Sequence, residues 1–229
     1  GADTLSGVEQ LTFTDGKVLV VGAGSAYTTL AAALEDAVNG DTILITAGTV
    51  LREQVTIDNF TDLTIMGMGD GSVIEMPDDP VFNEGNIGSR DRAAVISVTN
   101  STNVVIKDLY VDGRGLGNDL PSGSNPDIVG VFYGNSSGEV VDVTVTAIRD
   151  PYQGNGHVQG TQHGNGILVL NTDNGGRSVS LTDNTVENFQ KTGIVADGAN
   201  LTVMIKGNTV TGDGLAPGRR GRAPRDAHR

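Results

Sequence analysis

A short phrase that occurs twice constrains the fold of this chain more than any other feature. SLTDNTVENF begins at Ser180 and MIKGNTVTGD begins at Met204, and they place Asn-Thr-Val at Asn184 and Asn208, 24 residues apart. Both phrases alternate apolar with polar residues, as half-buried β-strands do. About 24 residues suffice for one coil of three short strands, after which the chain lies one strand spacing, about 4.8 Å, above its start. We therefore predict that Asn184 and Asn208 stack in successive coils of a parallel β-helix as a structural ladder of amides.

The same rhythm of strand, corner, strand and loop recurs upstream. Taking Asp108, Asp142, Asp183 and Gly207 as equivalent corners gives spacings of 34, 41 and 24 residues. The longer spacings predict the same coil with inserted loops, which are visible as GRGLGNDLPSGSNPD and RDPYQGNGHVQGTQHG. The predicted fold class is therefore all-β.

One segment interrupts this rhythm. SAYTTLAAALEDAVNGD combines helix formers at helical spacing with an Asn-Gly stop at Asn39. We predict an α-helix near residues 26–38 that caps the open end of the β-helix. The chain then divides into an N-terminal extension over 1–17, the β-helix over 18–214 and an Arg-rich tail over 215–229.

Charge and residue types exclude several classes of protein. The net charge is −13 and five of the eleven Arg lie in the tail, so the acidic body would repel phosphate and no nucleic-acid partner is expected. No stretch approaches the roughly 20 apolar residues of a membrane span, so no membrane partner is expected either. The absence of Cys excludes disulfides and thiolate metal sites.

Four stretches resemble known families. YTTLAAALEDAVNGDTILITAGTVLREQVTI resembles the first coils of the pectin-lyase-like, right-handed parallel β-helix superfamily. QHGNGILV and NFQKTGIVADGANLTVMIKGNTVTGDG resemble later coils of bacterial β-helix repeat proteins. GADTLSGVEQLTFTDGKV is similar to the segment that follows RTX-type calcium-binding repeats in secreted bacterial proteins. The resemblance implies a right-handed single-stranded β-helix that a bacterium secretes to the extracellular space.

The same resemblance implies a role in carbohydrate chemistry, because lyases, esterases, hydrolases and epimerases of polysaccharides are frequent in that superfamily. The motifs of pectin methylesterases are not found, and DPYQ at Asp150 shares only two residues with the Asp-Pro-His-Glu segment of alginate epimerases. Three functions stay open. They are a lyase or epimerase for an acidic polysaccharide, a catalytically silent glycan-binding β-helix, and a structural unit that forms a homodimer through its C-terminal coil.

The densest polar insert supplies the candidate catalytic residues. RDPYQGNGHVQGTQHGNG brings Arg149, Asp150, Tyr152, His157 and His163 within fifteen residues. Cleavage or epimerisation of a uronic acid polymer needs a base, an acid and a cation that neutralises the carboxylate. His, Tyr and Arg supply these roles if the loop lies across a groove, whereas an ordinary Gly-rich loop would simply expose them to solvent.

Other charged residues suggest a metal site and substrate contacts. Asp108, Asp112 and Asp119 lie at the end of one strand and in the loop that follows, where spaced carboxylates suit Ca²⁺. Arg177 and Lys191 precede strands of the last coils and are candidates for pairing with a sugar carboxylate. The alternative for all five is a solvated surface position or a salt link.

Overall fold

The computed structural model describes residues 10–13, 16–68, 71–123, 125–154, 156, 158 and 164–212. Within them the chain forms β-strands, one α-helix, α1 (Leu30–Asp36), and one 3-10 turn (Gly117–Asp119). In chain order the strands are β1 (Gln10–Phe13), β2 (Gly16–Val21), β3 (Thr42–Ile45), β4 (Val50–Arg52), β5 (Val55–Asp58), β6 (Thr64–Gly67), β7 (Val73–Glu75), β8 (Arg92–Thr99), β9 (Val104–Lys107), β10 (Tyr110–Asp112), β11 (Asp127–Gly134), β12 (Gly138–Val141), β13 (Thr144–Thr146), β14 (Asn165–Asn171), β15 (Arg177–Thr182), β16 (Thr185–Glu187), β17 (Thr192–Gly198), β18 (Leu201–Lys206) and β19 (Thr209–Thr211).

These strands form three sheets that the chain visits in turn. Sheet A has the order β1-β2-β3-β6-β9-β12-β15-β18, sheet B the order β19-β16-β13-β10-β7-β4, and sheet C the order β17-β14-β11-β8-β5. Only β1 and β2 pair antiparallel among these strands, and the other ladders are parallel. Connections that return a chain to a parallel strand of the same sheet are right-handed in nearly all proteins, which gives the hand of this β-helix. The prediction of a right-handed single-stranded parallel β-helix is confirmed.

The corners between sheets A and B explain the repeated phrases. Lys107, Val141, Thr182 and Lys206 are in register at the ends of successive strands of sheet A. The residues that follow them, Asp108, Asp142, Asp183 and Gly207, all have left-handed backbone with φ between 52° and 71°. Asp and Gly are among the residues that adopt this conformation most readily. The corner spacings predicted from the sequence therefore match the coils of the structure.

The core is a column of aliphatic side chains between the sheets, and one row of glycines keeps it narrow. Gly130, Gly166 and Gly193 occupy equivalent positions near the starts of β11, β14 and β17. A Cβ at each would lie 2.3 Å from a Val Cγ1 of sheet B. Sheets B and C approach each other too closely at this row for any side chain larger than hydrogen.

Helix α1 is shorter than predicted. It spans Leu30–Asp36 instead of 26–38, because Tyr27 forms a β-bridge with Val21 and Thr29 accepts a hydrogen bond from the Ala32 amide as N-cap. Ala37 is already extended. The helix buries Leu30 and contacts β2, β3 and β5. Strands β2 and β1 continue sheet A beyond β3. The role of the helix as a cap stays a prediction.

The long connections all leave sheet B and lead to sheet C. They comprise residues 76–91, 113–126 and 147–164, whereas the other two corners of these coils are short. The insertions thus collect along one edge of sheet C. In the described part of the chain no helix has the length and apolar character that a membrane crossing requires.

Candidate functional site

The outer face of sheet C carries charged, polar and apolar side chains in rows across its strands. Arg92 of β8 is in register with Asp127 of β11 at the edge where the long loops emerge. Further along the strands the register aligns outward-facing side chains in rows. These rows are Ala94, Val129, Asn165 and Thr192, then Ser97, Phe132, Leu168 and Val195, then Thr99, Gly134, Leu170 and Asp197.

The loop over residues 76–91 forms one wall on this face. Asn83 accepts a hydrogen bond from the Ala94 amide at 2.8 Å and donates one to the Ala94 carbonyl at 3.1 Å, as a neighbouring strand would. Ser97 Oγ donates to the Asn83 carbonyl at 2.6 Å. Ile87 packs with Phe132 in an apolar cluster on the outside of the sheet. The wall is therefore attached to β8 by both polar and apolar contacts.

Between this wall and β17 lies a cleft with a volume of about 350 Å³, which we call the sheet C cleft. It carries three cationic side chains in a chain whose net charge is −13. Its lining residues are Arg90, Arg92, Asp127, Asn165, Leu168, Leu170, Lys191, Thr192, Val195 and Asp197.

Arg92 is a buried cation at the base of the cleft. Only 6% of its surface is exposed, and its Nη1 donates to the carbonyls of Ile87 at 2.7 Å and Arg90 at 3.1 Å. The guanidinium carbon lies 5.7 Å from the centroid of the Phe132 ring. Among the described residues its Nη2 donates no hydrogen bond. Burial lowers the pKa of Arg92, although nearby Asp127 and Glu84 act in the opposite direction. A guanidinium held in this way is preorganised to bind an anion.

The other charged residues of the cleft are a neutral pair, one exposed lysine and one exposed carboxylate, Asp197. Arg90 Nη1 pairs with Asp127 Oδ1 at 2.5 Å, and Asp127 is only 3% exposed, so these two charges largely neutralise each other. Lys191 is exposed at the start of β17, and its side chain makes no hydrogen bond or ion pair with the described residues. Arg92 and Lys191 are therefore the two cations available to a ligand in the sheet C cleft.

The predicted catalytic residues fall into two groups. The guanidinium carbon of Arg149 lies 3.6 Å from the centroid of the Tyr152 ring, and Arg149 Nη1 donates to the Asp150 carbonyl. The Asp150 side chain is completely buried, and its Oδ2 accepts from Gln190 Nε2 at 3.0 Å. This carboxylate therefore supports Gln190, the neighbour of Lys191, and its catalytic role stays a prediction. His157 and His163 lie outside the described residues.

Of the two predicted substrate contacts, only Lys191 lies in the sheet C cleft. Arg177 lies at the corner between sheets C and A, where its Nη2 pairs with Asp173 at 2.6 Å and its Nε donates to the Asn135 carbonyl at 2.7 Å. These bonds occupy its guanidinium. The described contacts of Arg177 lie within the corner, and its role in substrate binding stays a prediction.

The predicted calcium ligands are spread along the coil. Asp108 precedes β10, Asp112 ends β10, and Asp119 belongs to the 3-10 turn. An extended strand separates the first two carboxylates, and Asp112 Oδ1 accepts the Arg114 amide at 2.7 Å. Within the described residues no three His, Cys, Asp or Glu side chains lie close enough together to hold a metal ion. Asp108 instead lines a shallow depression of about 240 Å³ at the corner between sheets A and B.

The predicted amide ladder is present as hydrogen bonds. Asn184 Nδ2 donates to Asn208 Oδ1 at 2.8 Å, and the Asn184 amide donates to the same oxygen at 2.9 Å. Asn184 also donates to the Val140 carbonyl and accepts from the Val143 amide. Both side chains belong to the corner and not to the cleft.

Arg90 and Arg92 were not among the site residues predicted from the sequence. The residues after Arg92 are nearly all apolar, because every residue of β8 is buried. The sequence of β8 therefore shows no alternation that would identify Arg92 as a residue of the outer face. The signal was nevertheless present: aligning VISV with GVFYG and GILVLN places Arg92 opposite Asp127 on the outer face. The equivalence of the sheet C strands, and not a local motif, identifies this site.

Comparisons with known proteins return matches only among solved structures. No family model and no curated protein matches this sequence. A candidate glycosyl hydrolase from Parabacteroides merdae is 14% identical, with 87% of this chain and 79% of that chain covered and a TM-score of 0.36. The pectin methylesterase PemA from Erwinia chrysanthemi is 14% identical, with 91% and 92% covered and a TM-score of 0.35. A pectin methylesterase from Aspergillus niger is 12% identical, with 87% of both chains covered and a TM-score of 0.27. Since these identities and scores are low, we conclude nothing about activity from them.

Proposed function

We propose that this chain is a polysaccharide-active β-helix module that binds an acidic glycan in the sheet C cleft. The observation that supports this function is the pair of available cations, Arg92 and Lys191, on one concave surface of an otherwise acidic protein. Their positive charge is suited to a sugar carboxylate. The rest of the surface is acidic and disfavours binding of anionic polymers outside the cleft.

The described residues of the cleft support glycan binding, and the proposal is limited to that part of the function. Lyase or epimerase chemistry requires a base beside the C5 proton, and the candidates His157 and His163 lie outside the described residues. Catalysis, secretion by a bacterium and homodimer formation through the C-terminal coil stay predictions. A lyase would reveal itself by the rise in ultraviolet absorbance that accompanies an unsaturated uronate product.

The binding proposal is tested by titration calorimetry with oligosaccharides of polygalacturonate and alginate at low salt, and with neutral dextran oligosaccharides of equal length. We expect the acidic ligands to bind and the neutral ligand to bind far more weakly. Affinity should fall as salt is added, because Lys191 is exposed to solvent.

Two charge reversals locate the binding site. Lys191→Glu places an anion in the cleft and should reduce affinity about tenfold or more, since one favourable charge contact becomes repulsive. Lys206→Glu makes the same change on an exposed residue of sheet A and should leave affinity near that of the wild type. Equal losses in both variants, or no binding of either acidic polymer, would contradict the proposed function.

A further inference from the structure

The cleft has an aliphatic floor in addition to its charged side chains. Leu168 and Val195 are in register on the outer face of β14 and β17, and Leu170 lies two residues further along β14. Outward-facing positions of a solvated sheet are normally polar. These three side chains form a continuous apolar strip within the cleft, and Leu168 is 6% exposed whereas the other two are half-buried.

This strip and the available cations line the same cavity. Arg92 and Lys191 require an anion, whereas Leu168, Leu170 and Val195 require a small apolar group. An unmodified uronate can place the C–H groups of its ring face on this strip, but its hydroxyl groups project from the ring and it carries no methyl group for the apolar surface. A ligand that carries a carboxylate and a short acyl group on the same or the adjacent sugar satisfies both parts of the cleft.

The position of the apolar group on the sugar follows from the charges. A methyl ester of the carboxylate would remove the anion that Arg92 and Lys191 select. An ester on a hydroxyl group leaves that anion intact. The volume of about 350 Å³ lies at the lower end of the range for small-ligand pockets, so it suits one substituted sugar and not a long acyl chain.

We propose that the sheet C cleft selects an O-acylated acidic sugar, with the carboxylate at Arg92 and Lys191 and an acetyl-sized group on the strip formed by Leu168, Leu170 and Val195. This inference rests on the proposed function of the cleft. It adds a specificity that charge alone does not provide, because acetylation of a hydroxyl group leaves the charge of the polymer unchanged.

The test compares alginate oligosaccharides that have been chemically O-acetylated with a saponified portion of the same preparation. Titration calorimetry at one salt concentration gives the affinity ratio of the two. Burial of one methyl group predicts roughly fourfold tighter binding of the acetylated form to the wild type. Val195→Thr replaces a methyl group of the strip by a hydroxyl group and should bring the ratio close to one while the saponified form still binds.

Val141→Thr is the matched control, because Val141 is a partly exposed residue in a strand of sheet A. It should keep the affinity ratio of the wild type. Equal affinity of the wild type for both forms, with binding still lost in Lys191→Glu, would overturn this inference and leave the acidic-glycan function in place. An affinity ratio that Val195→Thr does not change would also overturn it. Binding of neither form would refute the proposed function and the inference together.

Discussion

Asn184 Nδ2 donates a 2.8 Å hydrogen bond to Oδ1 of Asn208, one coil further along the β-helix. The same Asn208 oxygen also accepts a hydrogen bond from the backbone amide of Asn184. Asn208 Nδ2 in turn donates to the Leu181 carbonyl at 2.7 Å. Each side chain thereby satisfies backbone groups at a corner where the sheets change. The repeated Asn-Thr-Val therefore stabilises the stack of coils.

Removal of the Asn184 side-chain amide should lower the free energy of unfolding more than removal of the Asn208 side-chain amide. Asn184 is 1% exposed, so Asn184→Ala leaves buried backbone groups without partners and should lower the free energy of unfolding by about 1–3 kcal/mol. Asn208→Ala affects a more exposed position and should cost less, because water replaces the lost bonds. Urea unfolding of the two variants gives this order, and a larger loss in Asn208→Ala would contradict it.

The glycine row should tolerate no side chain. In Gly166→Ala the new Cβ would lie 2.3 Å from Val186 Cγ1 and 2.6 Å from the Gly193 carbonyl oxygen. Overpacking of this kind costs about 1–3 kcal/mol, and contact with backbone places this site at the upper end. Gly176→Ala is the control, since no atom lies within 4 Å of its new Cβ. Thermal unfolding should show a large decrease in Tm for the first variant and little change for the second.

Asp112 should make stability depend on pH. Burial, followed by the nearby Glu75 charge, raises the pKa of Asp112, although the hydrogen bond from the Arg114 amide acts against this shift. Since the folded state disfavours the ionised form, the protein loses stability as pH rises from the unfolded pKa through the folded one. Asp112→Asn keeps an oxygen for the Arg114 amide and removes the charge.

The Asp112→Asn variant should therefore gain in stability relative to the wild type as pH increases. The difference in Tm between the two proteins should be larger at about pH 7 than at about pH 3, where the wild-type carboxyl is protonated in both states. A difference that is constant over this interval would show that Asp112 has the same pKa in the folded and unfolded protein.

Arg92 should be required as an arginine and not merely as a positive charge. Its Nη1 is held by the carbonyls of Ile87 and Arg90, which leaves Nη2 for the ligand. A lysine ammonium cannot keep both carbonyls and still reach into the cleft, so Arg92→Lys should reduce the affinity for acidic oligosaccharide about tenfold. Calorimetry well below the Tm of the variant measures this loss, and an unchanged affinity would argue against a ligand contact by Arg92.

The sequence predicted the architecture because its signals repeat at every coil. Asp108, Asp142 and Asp183 mark equivalent corners, and their left-handed backbone favours Asp, Asn and Gly at each of them. Helix α1 was predicted too long, because the Tyr27 bridge and the Thr29 cap are tertiary and local contacts that helix propensity does not contain.

The sheet C cleft was not predictable in the same way. Its walls come from the loop over 76–91 and from strands as distant as β8 and β17, and their register is fixed only when the coils stack. The loop around Arg149 was predicted to carry the catalytic residues because its polar residues are close together in the sequence. The structure buries Asp150 against Gln190, and the catalytic role predicted for this loop stays a prediction.

Hydrogen–deuterium exchange in the presence of a saturating alginate oligosaccharide locates the ligand on the molecule. If the glycan occupies the sheet C cleft, exchange should slow in residues 84–92 of the wall and 190–197 around β17, whereas β9 and β12 of sheet A should be unaffected. At an oligosaccharide concentration close to the wild-type Kd, the Lys191→Glu variant should show much weaker protection than the wild type. Protection confined to sheets A and B, or identical exchange with and without the oligosaccharide, would contradict the assignment of glycan binding to this cleft.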